Sequence, residues 1–519
     1  QGWNAYMLRR NLLPDVDILD CLANCLRVDT QGLSFTGFTS DAAACEPGNL
    51  FFAIDSDTGD GHDDIATVAA NGATAIVSER ILPTNIPTFV VPDTRVAYAN
   101  TAHYLAGSPT QRLRTIGISG ASGKTAATYL IQQVFRHLGK TTGALSDLGF
   151  DNGIDVADFP DIKPDSKVYA NWLGSMAANK CQIACVELSD SDLADQTSAG
   201  IDLDYAVITR LTNFQSSATD SAQQTRRAAS NAINSLKSTG VVIINADDAA
   251  SRFDLPRIEN PTLTIGSNDD CDIWVEHLNH SADGQRIRIH AGAAEAVVFT
   301  PIIGHHHVYH CLQVTALALL EGYPLPEIAD AISQVNSIQG HLERISRGQD
   351  FEVYIDAANS PIALRNALHS VRQITLGRLI VVYGPGANTG ASFRADMGRI
   401  AEKAADITII TENDPGNEQT LSIAHDILDG YRRPGNAEII ISRERAIVWA
   451  LAHANTDDTV LITGKGFRTQ HQLGDQTLFF DDHQIADICL DQLLYPEPVY
   501  GTDLLPFPKA HGSSSEGTP

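Results

Sequence analysis

Short apolar runs of strand length alternate with turn-rich or helix-periodic stretches over most of the chain, a pattern of strands joined by crossover helices. In the first hundred residues, Asn49-Leu-Phe-Phe-Ala53 predicts a strand, residues 65–71 a helix and Ala73-Thr-Ala-Ile-Val77 another strand. A small α/β unit spanning about 16–107 accounts for these. At 113–118 a β-branched strand runs into a glycine-rich turn, followed by a helix-forming segment at 124–138. Further strands are predicted at 183–188, 205–211 and 240–245, with helix-compatible stretches between them, as in a mostly parallel sheet. A third unit begins near Gly340, with strands predicted at 351–356, 377–383, 407–411, 438–442 and 459–463 and a helix at 362–372. This is the rhythm of a second doubly wound sheet. Past about Tyr495 the chain turns to Pro, Gly and Ser, and a disordered tail is expected.

The fold class expected is therefore α/β in three domains: a small N-terminal α/β domain, a central P-loop domain with a parallel sheet, and a C-terminal Rossmann-like domain. The limits placed on them are 1–108, 109–339 and 340–496, with 497–519 as the tail. A length of 519 residues agrees with several cores rather than one. The composition, 43% hydrophobic and 19% charged, is that of a globular protein. No apolar run is long enough to span a bilayer and the first ten residues lack a signal-peptide layout, so a cytoplasmic location is expected. The formal charge of −27 repels nucleic acid and anionic membranes, which excludes both as expected partners. Any anionic ligand must then be held by local devices such as helix N-termini. The eight cysteines, including the pairs Cys21/Cys25 and Cys181/Cys185, lack zinc-ribbon or thioredoxin spacing and are expected to be reduced packing residues.

One segment carries recognisable chemistry. Gly120-Ala-Ser-Gly123-Lys124-Thr125 lies between a predicted strand and a predicted helix. There, glycines let backbone N–H groups wrap a polyphosphate and the helix N-terminus favours its charge. Gly120, Ser122, Gly123, Lys124 and Thr125 are candidate nucleotide-binding residues; Lys124 would reach the terminal phosphates and Thr125 would bind Mg²⁺ through its hydroxyl. An ordinary strand-to-helix turn is the alternative.

The longer string Thr115-Ile-Gly-Ile-Ser-Gly-Ala-Ser-Gly-Lys-Thr125 resembles the phosphate loop of the Mur ligases, and other landmarks follow in that family's order. Asp41, Pro47-Gly-Asn-Leu-Phe-Phe-Ala53, Asp60-Gly61 and Gly72-Ala73 resemble the N-terminal uridine-nucleotide domain of the tripeptide-forming branch. Val186-Glu-Leu-Ser189, Ile244-Asn-Ala-Asp-Asp248, Gly340-His-Leu-Glu-Arg344, Asp356-Ala-Ala-Asn-Ser-Pro361 and Gly464-Lys-Gly466 are similar to the central and C-terminal landmarks. The resemblance implies ATP and Mg²⁺ as cofactors, a nucleotide and a UDP-sugar-peptide or cell-wall enzyme as partners, and amide synthesis through an acyl phosphate. It also implies Glu187 as a magnesium ligand and Asn359 as a nucleotide contact. For Glu187 the plain alternative is a strand-end acid capping the next turn.

The chain departs from the family at many of its working positions. An Asp-His pair is replaced by Phe214-Gln215, and the position of a carbamylated lysine falls on or near Ala229, with no Lys between Lys180 and Lys237. The Ser-Arg and Thr-Thr-Pro segments that contact substrate read Ala42-Ala43 and Ile162-Lys163-Pro164. In the C-terminal part, Asp-Tyr-Ala-His has become Asp356-Ala-Ala-Asn359, an arginine has become His341, and Asp-Asn-Pro-Arg reads Asn413-Asp414-Pro415-Gly416. Arg468 stands behind Phe467 where the family has Glu. These losses together imply a pseudoenzyme that keeps the phosphate loop, with a regulatory or binding role in peptidoglycan synthesis; the alternative is an active acid–amino-acid ligase with altered substrate, in which Arg468, His341 or Lys163 take over contacts. Gly304-His-His-His307, followed by His310, replaces a family segment that carries asparagines. A solvated helix start is the expectation there, with a transition metal on His306 and His310 as the alternative.

Overall fold

The computed structural model describes residues 16–17, 34–56, 59–160, 163–211, 219–253, 258–387 and 389–495. The tail at 497–519, together with Cys21, Cys25, Ile162, Phe214 and Gln215, lies outside them. The described residues form three α/β domains, as the pattern predicts.

The N-terminal domain has four parallel strands, β1 (Gly37–Thr39), β2 (Asn49–Phe52), β3 (Ala75–Ser78) and β4 (Thr88–Val90), in that spatial order. Helices α1 (Ile65–Ala70) and α2 (Thr94–Leu105) accompany them, and Asp93 caps α2 by accepting from the N–H groups of Arg95 and Val96. Leu50, Phe52, Val77 and Phe89 pack with Tyr98 and Ala102 of α2 in one core.

The central domain is built on an eleven-stranded sheet. Its elements are β5 (Arg114–Ser119), α3 (Lys124–His137), β6 (Thr142–Ser146), β7 (Gly149–Asp151), β8 (Val156–Ala157), α4 (Ser166–Ala178), β9 (Ile183–Glu187), β10 (Leu203–Ile208), α5 (Thr219–Asn234), β11 (Leu236–Asn245), β12 (Thr262–Gly266), β13 (Ile273–Ser281), β14 (Gly284–Ala291), β15 (Ala294–Thr300), α6 (His305–Leu320) and α7 (Leu325–Ser333). The spatial order is β8-β7-β6-β9-β5-β10-β11-β12-β13-β14-β15. From β6 to β13 the neighbours are parallel; β7 and β8 at one edge and β14 and β15 at the other are antiparallel. The strands at 183–187 and 203–208 are buried throughout, which explains their continuous apolar reading. The β13–β15 meander was not expected. Its outer stretch, Glu276 to Ser281, is exposed and polar except for Leu278, so only part of it carries a strand-like apolar signal.

The C-terminal domain has the spatial order β16 (Glu343–Arg344), β17 (Glu352–Asp356), β21 (Thr459–Thr463), β18 (Leu379–Tyr383), β19 (Ile407–Ile410) and β20 (Ala437–Ile439). Only β16 is antiparallel to its neighbour. Helix α8 (Pro361–Arg372) starts with Ser360 accepting from Ala363 N–H and proline at its first position, a favourable start. Helices α9 (Ala391–Ala404), α10 (Arg443–Ala452) and α11 (Asp482–Leu494), with a further helix at Thr420–Leu428, complete the layers. No helix among the described residues is long and apolar enough to cross a membrane. The six described cysteines are all free and buried, which fits their expected packing role.

An ion pair locks α10 to α11. Arg443 and Asp482 are both fully buried, with Nε to Oδ1 at 2.7 Å and Nη2 to Oδ2 at 2.6 Å, and Nη2 also donates to the Thr463 carbonyl at 2.8 Å. Removing one partner strands a buried charge, so Arg443→Ala is expected to cost about 3–5 kcal/mol in the denaturant-induced unfolding of the C-terminal domain, whereas R443M/D482L recovers most of it. A loss in R443A of less than about 1 kcal/mol would contradict this reading of the pair.

Candidate nucleotide site

The 120–125 loop leaves the C-terminal end of β5 and enters α3, at the edge where β6, β9, β5 and β10 end side by side. In open α/β sheets, ligands occupy the crevice outside such strand ends. Gly120 has φ +140° and Gly123 φ +81°, values that only glycine adopts without strain. A Cβ at Gly120 would also strike Thr209 and stand 2.9 Å from the Arg210 carbonyl oxygen. The neighbouring strand holds the loop in place. Ala121 N–H donates to the Arg210 carbonyl at 2.7 Å, and the Thr209 hydroxyl donates to the Ser122 carbonyl at 2.8 Å.

Lys124 curls back, its Nζ donating to the Gly120 carbonyl at 2.9 Å, as a loop lysine does when it spans the phosphate cradle. The Thr125 hydroxyl donates to Glu187 Oε1 at 3.0 Å, while Glu187 Oε2 accepts the Asp147 N–H at 3.2 Å. Glu187 is 7% exposed. Burial and then the like charge of Asp147 push its carboxyl up to about 7, against the opposing charge of Lys124. It does bond to the turn after β6, yet a cap needs only an N–H acceptor, and here the same carboxylate also takes the Thr125 hydroxyl. Hard oxygens from Thr125 and Glu187 beside a glycine cradle suit a small divalent cation on phosphates. Asn359 lies apart from this group: it is exposed, just before α8 at the end of β17, and no hydrogen bond among the described residues ties it to the loop.

The histidines at the start of α6 correct an expectation. His305 is exposed, but His307 is 1% and His310 4% exposed, so the helix start is not solvated. The helix packs against α3 under the phosphate loop, and a Cβ at Gly123 would meet His310 Cε1 at 2.8 Å. His310 Nδ1 pairs with Gln313 Oε1 at 3.0 Å, while its Nε2 and both His307 nitrogens have no hydrogen-bond partner among the described residues. No group of three or more His, Cys, Asp or Glu among the described residues could hold a metal, and His306 and His310 belong to none. Burial lowers His306 to about 3, His310 to about 4 and His341 to about 4, and holds His307 well below the ordinary value.

In the C-terminal domain the residues around Asn413 bond to each other. Asp414, at φ +50°, accepts from Lys465 Nζ at 2.9 Å, pairs with His471 Nδ1 at 3.0 Å and accepts Gln472 N–H at 3.1 Å. Burial opposes its ionisation, but the His471 hydrogen bond and the Lys465 charge hold it well below the carboxylate range. Asn413 donates to the Gly384 carbonyl at 3.1 Å. Ala229 is fully buried in α5 among Ile208, Leu211, Ile233 and Val242. Lys163 pairs with Asp195 at 2.8 Å, and Arg468 is exposed beside the 464–466 turn.

Comparison with known proteins places this geometry in a family. The Mur ligase middle domain matches residues 118–318, and the Mur ligase glutamate ligase domain matches 340–466. A UDP-N-acetylmuramoyl-L-alanyl-D-glutamate–2,6-diaminopimelate ligase of Bacillus licheniformis is 31% identical over 457 residues, covering 87% of this chain and 93% of the relative. A solved structure of a ligase of the same name superposes with TM-score 0.66 at 23% identity, covering 93% of this chain and all of the other. A folylpolyglutamate synthase of Mycobacterium tuberculosis, solved with ADP and AMPPCP, superposes with TM-score 0.59 at 16% identity over 78% of this chain and 96% of its own.

The buried histidines give a pH dependence of fixed sign. An unfolded chain titrates them at about 6.5. Their folded values lie lower, so their contribution to stability is whole above that pH and is lost as pH falls towards the folded values. Glu187 and Asp356, each raised to about 7 chiefly by burial, contribute with the opposite sign, and Arg210 and Glu343 also face the cluster. The difference between wild type and His310→Gln isolates the histidine: denaturation at pH 7 and pH 5 should show a smaller acid loss in H310Q, and equal losses would contradict the assignment.

Proposed function

The chain belongs to the Mur ligase family, and from that premise we propose that it binds Mg·ATP but has lost amide synthesis by the family's usual route. Its role is then that of a cytoplasmic pseudoenzyme, a binding or regulatory partner in peptidoglycan synthesis, with domains divided at 1–108, 109–339 and 340–496. The observation that carries nucleotide binding is the bond from Thr125 to buried Glu187 across the mouth of the glycine loop. Gly120, Ser122, Gly123, Lys124 and Thr125 hold the phosphates, Thr125 and Glu187 the Mg²⁺, and Asn359 contacts the nucleotide. Bound Mg·ATP would supply an activated phosphoryl group. The chain's own part is to cradle it with backbone N–H groups, fix it with Lys124 and keep it at the strand ends.

Loss of ligation is supported by what stands where catalytic groups would be. A methyl group at Ala229 cannot form a carbamate, and its apolar surroundings leave no room for an ion. Gly416 offers no bidentate clamp for a carboxylate, while Lys465 is already engaged by Asp414. The relatives act on a UDP-N-acetylmuramoyl dipeptide by name, so a UDP-sugar-peptide or an enzyme that handles one is the proposed partner of the N-terminal domain. An active ligase with altered acceptor is the second reading, favoured by 31% identity to a named ligase across 87% of the chain. In that case exposed Arg468 or Lys163, or half-buried His341, replaces the missing contacts.

Calorimetric titration of Mg·ATP tests the first step. Micromolar binding is expected in wild type, weakened by at least about tenfold in Lys124→Ala through loss of a charge-assisted contact. No heat in wild type would leave the loop a structural turn. Phosphate release that depends on an added amino acid would favour the second reading.

A further inference from the structure

One side chain of the neighbouring strand ties down the phosphate loop. Thr209 follows directly on β10, whose Ile208 pairs with Ser119 at the end of β5, and the Thr209 N–H extends that ladder by donating to the Ser119 carbonyl at 2.9 Å. Its side chain, 3% exposed, turns towards the loop: the hydroxyl donates to the Ser122 carbonyl at 2.8 Å and stands 3.3 Å from the Ser119 carbonyl. A single hydroxyl on a buried strand end therefore meets the loop at its entry and again within it. Gly120 lies between the two points, and a Cβ there would strike the Thr209 hydroxyl.

These bonds decide which way the loop's peptides face. The carbonyls of Ser119, Gly120 and Ser122 all have donors, Thr209 for the first and last and Lys124 Nζ for the second at 2.9 Å. A carbonyl held in this way cannot swing into the cradle, where its negative end would repel a phosphate. The N–H groups of Ser122, Gly123, Lys124 and Thr125, by contrast, have no acceptor among the described residues, and those of Lys124 and Thr125 belong to the first turn of α3. Such N–H groups are the donors that a polyphosphate takes.

We propose that Thr209 is a positioning residue for the phosphates of a nucleotide: its hydroxyl fixes the loop peptides so that their N–H groups face the ligand before it arrives. The role rests on the reading of the loop as a nucleotide site and adds to it a residue that lies outside the glycine motif. Lys124 and Thr125 act on phosphate and cation directly, whereas Thr209 acts through the Ser119 and Ser122 backbone. Donors already ordered in the free protein bind more tightly, because the ligand does not have to supply the ordering.

ADP with Mg²⁺ is titrated calorimetrically into the full chain and into its Thr209→Val and Thr209→Ser variants. T209V, close in shape but without the hydroxyl, is expected to bind about tenfold more weakly, as the loss of one hydrogen bond predicts, while T209S stays within about threefold of wild type. Amide hydrogen exchange without nucleotide is the second readout: residues 120–125 exchange faster in T209V, and β5 and β10 keep their wild-type rates. Faster exchange in the strands as well marks Thr209 as merely structural and overturns the role. ADP affinity in T209V within about twofold of wild type, or T209S as weak as T209V, overturns it too and leaves the loop reading intact. A wild-type chain that binds no ADP overturns the nucleotide reading and this role with it. Should T209V lose its circular-dichroism signature, Thr209→Ala against T209S gives the same comparison.

Discussion

The parallel alignment of β6, β9, β5 and β10 is the constraint on which the site depends. Parallel pairing brings their carboxyl ends to one edge, so the phosphate loop, Glu187, Asp147 and Arg210 meet there without any long-range steering. The strands can run side by side only because both faces are covered: α3 and α6 pack on one side with Ile116, Ile118, Cys185 and Val207, and α4 and α5 on the other with Val186, Leu203 and Ala206. Burial at this edge makes Glu187 sensitive to its surroundings. An anion bound here would be held by local backbone donors, against a net charge of −27.

Much of this was legible in the sequence. The strand at 113–118 and the loop and helix after it appear at Arg114–Ser119 and Lys124–His137, because β-branched residues, a glycine turn and a helix-forming run follow one another without ambiguity. The C-terminal strands were legible for the same reason: Leu379–Tyr383 and Thr459–Thr463 are buried on both faces and so read as unbroken apolar runs. The β13–β15 meander was not, since an antiparallel edge with one exposed face shows weak alternation, broken by Glu276, His277, Asn279 and His280.

The site divides in the same way. Glycine spacing pointed to the loop, whereas Glu187 was reached through the resemblance of Val186-Glu-Leu-Ser189 to the family's central landmark. The histidines of α6 misled in the other direction: three in a row after a glycine suggest a solvated helix start, but tertiary packing sets His307 and His310 beneath the loop. Polar residues in a buried helix face escape any argument from amphipathic pattern alone.

Nucleotide binding, which the retained loop supports, is separable in this chain from amide synthesis, which the replaced groups oppose. The most direct measurement incubates the full chain with Mg·ATP, the muramoyl-dipeptide nucleotide for which its relatives are named, and a mixture of amino acids including diaminopimelate, and follows the nucleotide by mass spectrometry. The account predicts that no aminoacyl product forms over many hours while a parallel reaction with a working relative goes to completion. Accumulation of a tripeptide product, dependent on ATP and abolished by Lys124→Ala, would contradict it.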